Sequence, residues 1–474
     1  MREFGTIIGG EQQPGAAWID VRNPFTGEVV GRVAAADRAT TLAVVERTRN
    51  AKIALSRHQR HDLLNRIASR LESDAGAVSR LITDEAGLCL KDTSYEVGRA
   101  CDVLRFAAIQ TLLDDSEVFP CDVSKSGRRR RIYTMRQPLK LIASITPFNH
   151  PLNQVVHKLA PAIATNNTTV LKPSLLTPMA AYHFVQLALQ CGMPPDMINV
   201  ICGPTQEVAE PLVASELVEM VTFTGSAAVG KRILAMAGYK RVVLELGGSS
   251  AMLVLADADP ALAADLAIAG IFKNSGQRCT AIRRLLVHDA IATEFARILA
   301  EKTSALRYGD PYDPATDVGT VISEAAARQI ETRVEDSLAR GAKLLTGHRR
   351  SGAVYAPTVL DFVRNDHSLV ACETFGPVAP IIRFASLDDA IRIANDTPFG
   401  LSGAVVSNHW PSIQRVITEL ETGTVNVNEA PSYRLEWSPF GGIKSSGLGY
   451  KEGVIDAMKS MTYVKTYSLP WDEP

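Results

Sequence analysis

Short apolar runs alternate along most of the chain with longer stretches in which apolar residues recur at helical spacing. Residues 36–113 and 178–190 have the helical pattern. From residue 139 onward, apolar runs of four or five residues predict buried strands at 141–145, 168–172, 198–201, 220–224, 251–255, 284–288 and 403–406. Because strands and helices alternate, the pattern predicts an α/β fold with parallel sheets covered on both faces.

The segment 128–138 interrupts this alternation. It begins with four consecutive arginines and predicts an exposed, extended stretch. Basic runs occur in nucleic-acid-binding proteins, but the whole chain has a formal net charge of −1. One short run in such a chain is more typical of a solvated strand or a contact between subunits, so we expect no nucleic acid partner.

Composition limits the class of protein. A chain of 474 residues is too long for a single core and predicts two or three domains. Its hydrophobic fraction of 46% and charged fraction of 21% are those of an ordinary soluble globular protein. No apolar run reaches membrane-spanning length, and no signal peptide is visible at the N-terminus. We therefore expect a cytoplasmic protein without a membrane contact.

Seven cysteines are scattered along the chain, and none belongs to a CxxC pair. They are Cys89, Cys101, Cys121, Cys191, Cys202, Cys279 and Cys372. Their odd number and wide spacing favour a reducing compartment and argue against a disulfide framework or a zinc site. We expect no bound metal.

The segment 274–281, with the sequence Asn-Ser-Gly-Gln-Arg-Cys-Thr-Ala, contains a candidate nucleophile. Cys279 follows Arg278, whose positive charge would favour the thiolate or hold an anionic substrate beside the sulfur. A cysteine considered alone is more often a small buried hydrophobe. The interpretation therefore depends on partners elsewhere in the chain.

Other candidate groups follow the predicted strands, where open α/β sheets bind their ligands. Residues 146–151 follow one strand, and Lys172 ends the next. Gly225 and Ser226 open a helix whose free backbone N–H groups suit a phosphate, although the glycine spacing is not that of a GxGxxG motif. Glu245, which stands between leucines and before two glycines, is either a capping or ion-paired carboxylate or a mobile general base.

Six motifs together resemble those of the aldehyde dehydrogenase superfamily, in the order of that family and over essentially the whole chain. They are Pro147-Phe148-Asn149, Lys172-Pro173-Ser174, Phe223-Thr224-Gly225-Ser226, Leu244-Glu245-Leu246-Gly247-Gly248, Gly276-Gln277-Arg278-Cys279 and Glu373-Thr374-Phe375-Gly376-Pro377. The resemblance implies that Cys279 attacks the aldehyde, and that the Asn149 amide and the Cys279 backbone N–H form the oxyanion hole. Hydride transfer would leave a thioester, which Glu245 hydrolyses by activating water. The presence of Glu245 favours hydrolysis over transfer to coenzyme A.

The resemblance also implies the cofactor contacts. Lys172 and Glu373 would bind the two riboses. Ser226 would contact the pyrophosphate, and Phe375 would support the nicotinamide. The predicted cofactor-binding set is Pro147, Phe148, Lys172, Ser174, Gly225, Ser226, Glu373 and Phe375. Where many NAD-preferring relatives have a glutamate, this chain has Ser174, which does not repel the 2′-phosphate of NADP. We expect NAD as the cofactor, with NADP also accepted.

Four residues that are not general to the superfamily predict the substrate. They are Arg99, His150, Arg278 and Arg434. By resemblance, Arg99 lies in the helix that lines the substrate tunnel and Arg434 in the loop at its mouth. Three guanidinium groups and a histidine that converge there would suit a phosphate or phosphonate. The alternative is that Arg99 and Arg434 are surface ion-pair partners.

This arrangement is shared with non-phosphorylating glyceraldehyde-3-phosphate dehydrogenases, but His150 replaces the tyrosine of those enzymes. The segments 146–153, 431–434 and 464–471 look most like those of bacterial phosphonoacetaldehyde dehydrogenases. We therefore expect NAD(P)-dependent oxidation of phosphonoacetaldehyde to phosphonoacetate in phosphonate catabolism. Glyceraldehyde 3-phosphate, sulfoacetaldehyde and lactaldehyde are alternative substrates. An inactive structural relative and a coenzyme A-acylating enzyme are further alternatives.

The resemblance implies three domains. A Rossmann-like cofactor domain would take residues 1–117 and 139–245, and an α/β catalytic domain would take 246–419. A small β oligomerisation arm would combine 118–138 with 420–474. The arm would pair across subunits in a homodimer or homotetramer, which also explains the arginine run.

Overall fold

The computed structural model describes residues 1–113, 115–450 and 452–471. The predicted domain ranges therefore include residues 114, 451 and 472–474, which lie outside the described residues. The strands up to residue 245 are β1 (Arg2–Phe4), β2 (Thr6–Ile8), β3 (Glu11–Gln13), β4 (Ala17–Arg22), β5 (Val29–Ala35), β6 (Val118–Pro120), β7 (Arg130–Pro138), β8 (Leu141–Ile145), β9 (Thr168–Lys172), β10 (Ile198–Val200), β11 (Met220–Thr224) and β12 (Arg241–Glu245). The helices in the same part are α1 (Arg38–Asn50), α2 (Arg57–Ser73), α3 (Ala75–Ala86), α4 (Leu90–Leu112), α5 (Asn153–Ala164), α6 (Met179–Gln190), α7 (Ala209–Ala214) and α8 (Ala227–Ala237).

The remainder of the chain repeats the alternation. Its strands are β13 (Ser250–Val254), β14 (Ile282–His288), β15 (Lys343–Thr346), β16 (Arg350–Ser351), β17 (Val354–Tyr355), β18 (Thr358–Asp361), β19 (Val378–Phe384), β20 (Phe399–Gly400), β21 (Ser402–Val406), β22 (Thr424–Val427), β23 (Ile443–Lys444) and β24 (Thr462–Pro470). Its helices are α9 (Pro260–Ile271), α10 (Asp289–Ser304), α11 (Glu324–Ala339), α12 (Ser368–Ala371), α13 (Leu387–Asn395), α14 (Trp410–Glu419) and α15 (Val454–Ser460), with a 3-10 turn at Lys273–Gly276.

Two seven-stranded sheets confirm the predicted α/β fold. The first has the order β12-β11-β8-β9-β10-β2-β3, and its first five strands run parallel. The second has the order β15-β18-β19-β14-β13-β21-β22, and all its neighbours except β15 and β18 are parallel. Every residue of β8, β9 and β11 is buried, as expected for strands that are covered on both faces.

The boundaries follow the apolar pattern closely, with one instructive exception. The predicted strand at 284–288 begins two residues earlier, at Ile282. The apolar pattern excludes Arg283, yet this arginine is 2% exposed in the structure. Its guanidinium donates to backbone carbonyl oxygens, which allows a charged side chain to lie in a buried strand.

A separate three-stranded antiparallel sheet has the order β24-β7-β6. Strand β7 pairs with β24 from Arg130 opposite Pro470 to Pro138 opposite Thr462. Within the arginine run, Arg130 donates to the Ser468 carbonyl oxygen at 3.0 Å, and the Arg131 guanidinium stacks 4.0 Å from the Trp471 ring centre. The extended conformation predicted for this segment is confirmed for β7, and these contacts favour the strand over a nucleic-acid-binding patch.

Candidate active site

The candidate catalytic groups follow the carboxyl ends of parallel strands in the first sheet. At the end of β8, Ile145 pairs with Lys172, the last residue of β9. Thr224, the last residue of β11, pairs with Glu245, the last residue of β12. Because β8 also pairs with β11, these four ends lie together at one edge of the sheet. The loop 147–149, with the predicted Pro-Phe-Asn motif, starts from the same edge.

A tight turn in the second half of the chain precedes Cys279. Asn274, Ser275 and Gly276 have positive φ angles of 60°, 51° and 71°. A Cβ at Gly276 would lie 2.2 Å from the Gly376 carbonyl oxygen. The turn therefore needs glycine at this position, both for its backbone conformation and for the close approach of the second loop.

Hydrogen bonds join this turn to the predicted oxyanion residue. Asn149, which is 8% exposed, donates from Nδ2 to the Gln277 carbonyl oxygen at 2.8 Å. In return, Asn274 Nδ2 donates to the Asn149 carbonyl oxygen at 2.9 Å. An amide nitrogen carries two N–H groups, and the bond to Gln277 uses one of them. The structure thus brings Asn149 and the nucleophile loop together, as an oxyanion hole at Cys279 requires.

Arg283 is a functional candidate that sequence reasoning missed. Its guanidinium donates to the carbonyl oxygens of Gly276 at 2.5 Å, Arg278 at 3.2 Å and Gly376 at 3.1 Å. It also lies 5.5 Å from the centre of the Phe375 ring. Burial lowers the pKa of Arg283 to about 10, which leaves it charged at neutral pH. Arg283 therefore ties the nucleophile loop to the predicted nicotinamide-supporting loop, and its only signal in the sequence was a charge next to an apolar run.

The surroundings of Cys279 favour the protonated thiol. Burial is the largest cause and raises its pKa to about 11. Arg434 and Arg278 lower this pKa, whereas the negative charges of Glu245 and Glu373 raise it. Arg278 does act in the direction expected of a neighbouring cation. Its contribution is smaller than that of burial, so proximity to Arg278 alone does not produce the thiolate.

Glu245 has the surroundings of a buried base. Glu245 is 4% exposed. Its negative charge helps to raise the pKa of the Cys279 thiol. Its backbone carbonyl oxygen accepts from the Gly225 N–H at 3.0 Å, which fixes the strand end beside the helix α8. A buried carboxylate that lies close enough to raise the pKa of the thiol fits the general-base interpretation.

One wall of the predicted cofactor cleft would consist of the Glu373 carboxylate and two aromatic rings. Glu373 Oε1 accepts from the Gly248 N–H at 3.1 Å, and a Cβ at Gly247 would lie 2.1 Å from Glu373 Oε2. The carboxylate therefore packs against bare backbone. The Phe148 and Phe375 rings meet edge to face with centres 5.9 Å apart. These groups offer a ribose-binding carboxylate and an aromatic wall.

A second wall of the predicted cleft would be cationic and polar. Lys172 is 8% exposed and donates to the Pro173 carbonyl oxygen at 3.0 Å, which uses one of its three N–H groups. Ser226 caps α8 and follows Gly225, so the positive end of this helix dipole lies at the two predicted pyrophosphate residues. Ser174 is half-exposed and accepts a backbone hydrogen bond at 3.2 Å. An ammonium, a helix N-terminus and a serine complete a set of donors that fits the riboses and pyrophosphate of a dinucleotide.

Arg99 and Arg434 meet on one carboxylate, that of Glu436. Arg99 Nε donates to Glu436 Oε1, and Arg434 Nη2 lies 3.2 Å from Glu436 Oε2. His157 Nε2 is 2.5 Å from the same Oε2. The side chains of Arg99, Arg434, His157 and Glu436 are 14%, 13%, 3% and 6% exposed. Arg99 and Arg434 are thus ion-pair partners, as the alternative expected, but their shared carboxylate is buried rather than at the surface. Sequence reasoning missed Glu436 and His157.

Arg278 lies beside this group without sharing its carboxylate. Its Nη2 donates to the Ser432 carbonyl oxygen at 3.3 Å, in the same loop that carries Arg434. Burial, together with the positive charge of Arg99, lowers the pKa of Arg278 to about 10. Arg99 and Arg278 therefore lie close enough to affect each other electrostatically.

His150 lies beside a buried carboxylate of α4, that of Glu96. Its Nδ1 lies 3.4 Å from Glu96 Oε2, while Glu96 Oε1 accepts from the backbone N–H groups of Leu152 and Asn153, both at 2.9 Å. Burial lowers the pKa of His150, although Glu96 opposes this effect. His150 is therefore neutral at neutral pH and offers a hydrogen bond rather than a charge.

Two further findings concern the described part of the chain, which excludes residues 114, 451 and 472–474. It contains no group of three or more His, Cys, Asp or Glu side chains that could hold a metal ion. None of its helices is long and apolar enough to cross a membrane.

Comparison with known proteins agrees with this geometry. The chain is 37% identical over 454 residues to an aspartate-semialdehyde dehydrogenase of Pseudomonas canavaninivorans, covering 95% of this chain and 96% of that protein. It is 34% identical to the 3-sulfolactaldehyde dehydrogenase of Priestia aryabhattai, covering 98% and 97%. Its structure matches that of an NADP-dependent glyceraldehyde-3-phosphate dehydrogenase from Bacillus halodurans, complexed with NADP, with a TM-score of 0.97, 32% identity and 100% coverage of both chains.

The profile of the aldehyde dehydrogenase family matches residues 11–467, nearly the whole chain. The match spans all six motifs from the Pro147-Phe148-Asn149 segment onward, together with the strands that carry them. With this match and the relatives above, the chain belongs to the aldehyde dehydrogenase family, whose members are NAD(P)-dependent oxidoreductases.

Proposed function

We propose that this enzyme oxidises phosphonoacetaldehyde to phosphonoacetate in phosphonate catabolism, using NAD and also accepting NADP. The observation that carries the proposal is a group of three arginines, in which Arg99 and Arg434 share the Glu436 carboxylate and Arg278 directly precedes Cys279. Arg99 lowers the pKa of Arg278, and Arg434 lowers that of the Cys279 thiol. Repulsion among partly buried guanidinium groups is relieved when an anion binds between them. A small aldehyde with a phosphonate would supply that anion.

The chemistry follows from the arrangement of four side chains. Once the Cys279 thiol has released its proton to solvent, its Sγ attacks the carbonyl carbon and forms a thiohemiacetal, whose oxyanion is stabilised by the Asn149 amide and the Cys279 backbone N–H. A nicotinamide held by Phe375 would supply the acceptor for the hydride on this carbon. Glu245 then takes a proton from a water molecule that attacks the resulting thioester and passes it to the departing Cys279 sulfur, which releases the acid and restores the thiol. Arg283 keeps the nucleophile loop in place throughout.

The named activities of similar proteins support an anionic substrate class. The 3-sulfolactaldehyde, glyceraldehyde 3-phosphate and aspartate semialdehyde of these names carry a sulfonate, a phosphate and a carboxylate. Phosphonoacetaldehyde belongs to the same class by charge and size. The choice of a phosphonate among these anions rests on the resemblance of the segments 146–153, 431–434 and 464–471.

A steady-state comparison tests the proposal. Phosphonoacetaldehyde, sulfoacetaldehyde, glyceraldehyde 3-phosphate and lactaldehyde are oxidised at saturating NAD and again at saturating NADP. We expect the highest kcat/KM for phosphonoacetaldehyde. A higher value for any other aldehyde would refute it. Cys279→Ala should abolish turnover while leaving the folded oligomer intact, which excludes an inactive structural relative.

Non-phosphorylating oxidation of glyceraldehyde 3-phosphate is the second candidate. Two solved structures of glyceraldehyde-3-phosphate dehydrogenases complexed with NADP, from Bacillus halodurans and Methanocaldococcus jannaschii, match this chain with TM-scores of 0.97 and 0.91. The neutral His150 is the feature that favours the phosphonate, since those enzymes are expected to have a tyrosine there. Transfer of the acyl group to coenzyme A is disfavoured by Glu245, and a coenzyme A-dependent thioester product would reveal it.

We also propose the predicted domain division, with the sheet β24-β7-β6 in a dimerisation arm. The outer strands of this sheet expose apolar side chains. These are Val118, Phe119, Tyr463, Val464, Tyr467, Leu469 and Trp471, each at least 39% exposed. Such a surface supports pairing with a second subunit in a dimer or tetramer.

All seven cysteines are free, which supports a cytoplasmic location.

A further inference from the structure

We propose that Glu436 is a positioning residue that makes the enzyme selective for anionic aldehydes, by holding Arg99 and Arg434 in the orientation that binds the anion. This inference rests on the proposed function, because it assigns the arginines to the substrate. Glu436 would not touch the aldehyde carbon. It would act through the two guanidinium groups that it binds.

The contacts of Glu436 join three separate elements. Arg99 belongs to α4 and His157 to α5, whereas Arg434 and Glu436 belong to the irregular loop before α15. The Glu436 backbone carbonyl oxygen also accepts from the Val454 N–H at 3.1 Å, the first residue of α15. A loop without regular structure thus gains a fixed position from one buried side chain and one backbone bond.

The carboxylate is charged where it lies. Burial opposes its ionisation, but Arg434, His157 and Arg99 together hold the pKa of Glu436 far below its usual range. The pKa of His157 is lowered by burial, so the histidine is neutral at neutral pH and the arginines supply the positive charge. Removing the charge of Glu436 would leave two desolvated guanidinium groups without a counter-ion, near a third on Arg278.

Glu436 does not block the anion site, because Arg99 and Arg434 keep N–H groups that it does not use. A guanidinium has five N–H groups. Arg99 uses Nε for Glu436, and Arg434 uses Nη2 for both Glu436 and His157, so each guanidinium keeps further N–H groups for a ligand. The Arg434 guanidinium is also stacked 4.2 Å from the Phe440 ring centre, which fixes its plane. Two planar forks in fixed orientations can bind a tetrahedral anion bidentately, and a guanidinium that swings towards solvent cannot.

Glu436 also reduces the positive potential of the site, and this effect alone would weaken anion binding. The two roles predict opposite results. If positioning dominates, loss of the Glu436 charge weakens the binding of anionic aldehydes. If charge reduction dominates, the same change strengthens it. The three-way contact of a single buried carboxylate favours positioning, because both arginines depend on it for their orientation.

The test measures kcat and KM for phosphonoacetaldehyde, sulfoacetaldehyde, glyceraldehyde 3-phosphate and uncharged acetaldehyde. The variants are Glu436→Gln, which keeps the shape, and Glu436→Asp, which keeps the charge at shorter reach. Glu421→Gln is the matched control, since Glu421 is an exposed glutamate paired with Lys444 outside the site.

For Glu436→Gln we expect KM for the preferred anionic aldehyde to rise about ten-fold or more. kcat, and both constants for acetaldehyde, should stay within about two-fold. Glu436→Asp should show a smaller selective rise.

Three outcomes would overturn the inference. They are equal losses on charged and uncharged aldehydes, an unchanged KM for every anionic aldehyde, and a lower KM for the anion in Glu436→Gln. If Glu436→Gln does not fold, the selective rise in Glu436→Asp decides in the same way. The panel separates this inference from the proposed substrate. A selective effect on sulfoacetaldehyde or glyceraldehyde 3-phosphate, with poor activity on phosphonoacetaldehyde, would uphold the role of Glu436 and reject the phosphonate.

Discussion

The Asn149 side-chain amide donates to the Gln277 carbonyl oxygen at 2.8 Å, two residues before Cys279. This bond crosses from the loop after β8 to the turn that carries the nucleophile, and it connects the two halves of the site. Since Asn149 is also held by Asn274 through its carbonyl oxygen at 2.9 Å, its amide is fixed before substrate arrives. A preorganised donor of this kind stabilises an oxyanion without reorganisation during the reaction.

Asn149→Ala should therefore lower kcat by about 10²- to 10³-fold, the usual cost of losing one oxyanion donor. Substrate binding through the arginines does not involve the amide, so KM should change far less. Stopped-flow measurement of NADH formation reports the affected step directly. Asn408→Ala, at an exposed asparagine, serves as the control. An unchanged rate of NADH formation in Asn149→Ala would exclude the oxyanion role.

Glu245→Gln separates two effects of one carboxylate. Hydrolytic turnover should fall by about 10²- to 10⁴-fold, because general-base catalysis is lost. The Cys279 thiol should become more reactive in the same variant. Its pKa is about 11 and is raised in part by the charge of Glu245, so removing that charge lowers the pKa and increases the thiolate fraction below pH 11.

Iodoacetamide labelling of Cys279 from pH 7 to pH 9, followed by peptide mapping, measures this thiolate fraction. We expect faster labelling in Glu245→Gln than in the unaltered enzyme at every pH, by a factor of about two to ten. Cys279→Ala defines the background from the other cysteines. Slower labelling together with unimpaired turnover would mean that Glu245 neither faces the thiol nor acts as the base.

The ends of three strands could be predicted, and catalytic roles could be assigned as a hypothesis, because both have local signals. The apolar runs define β8, β9 and β11 to the residue, and Cys279 lies in a motif that is specific to its family. Arg283 and Glu436 have no such signal. Each is a buried charge with at least one partner that is distant in sequence: the Gly376 carbonyl oxygen for Arg283, and side chains of α4 and α5 for Glu436. Only the folded chain shows that these charges are satisfied.

The anion pocket was predicted in part for the same reason. Arg99 and Arg434 were expected to converge with His150, and they lie in one region of the structure. Their direct partner is Glu436, which lies two residues after Arg434 but 337 residues from Arg99, so the sequence gave no sign that both arginines share it. The contribution of His150 as a neutral group depends on burial beside Glu96, which a sequence pattern does not report. Whether these side chains bind the substrate remains a prediction.

Arg99→Ala and Arg434→Ala should raise KM for phosphonoacetaldehyde by about ten-fold or more, because a desolvated charged contact is lost. Uncharged acetaldehyde should be affected little. Arg105→Ala is a matched control for the first variant, since Arg105 lies on the same helix and forms an exposed pair with Glu72 at 2.5 Å. Thermal unfolding should show a lower Tm for Arg99→Ala than for Arg105→Ala. The reason is that Arg99 pairs with the buried Glu436, whereas Arg105 pairs with the exposed Glu72. Equal effects of Arg99→Ala on both aldehydes would make the arginine structural.

Ser174→Glu should shift the cofactor preference towards NAD. Ser174 lies at the cationic wall of the cleft, two residues after the end of β9, and is half-exposed. A carboxylate at this position would repel the 2′-phosphate of NADP and could accept from the ribose hydroxyls of NAD. The ratio of kcat/KM for NADP to that for NAD should fall by about ten-fold or more, as expected for one unfavourable charge contact. Ser174→Gln, which has the same length without the charge, should change this ratio much less. If both variants alter the ratio equally, size rather than charge at position 174 determines the preference.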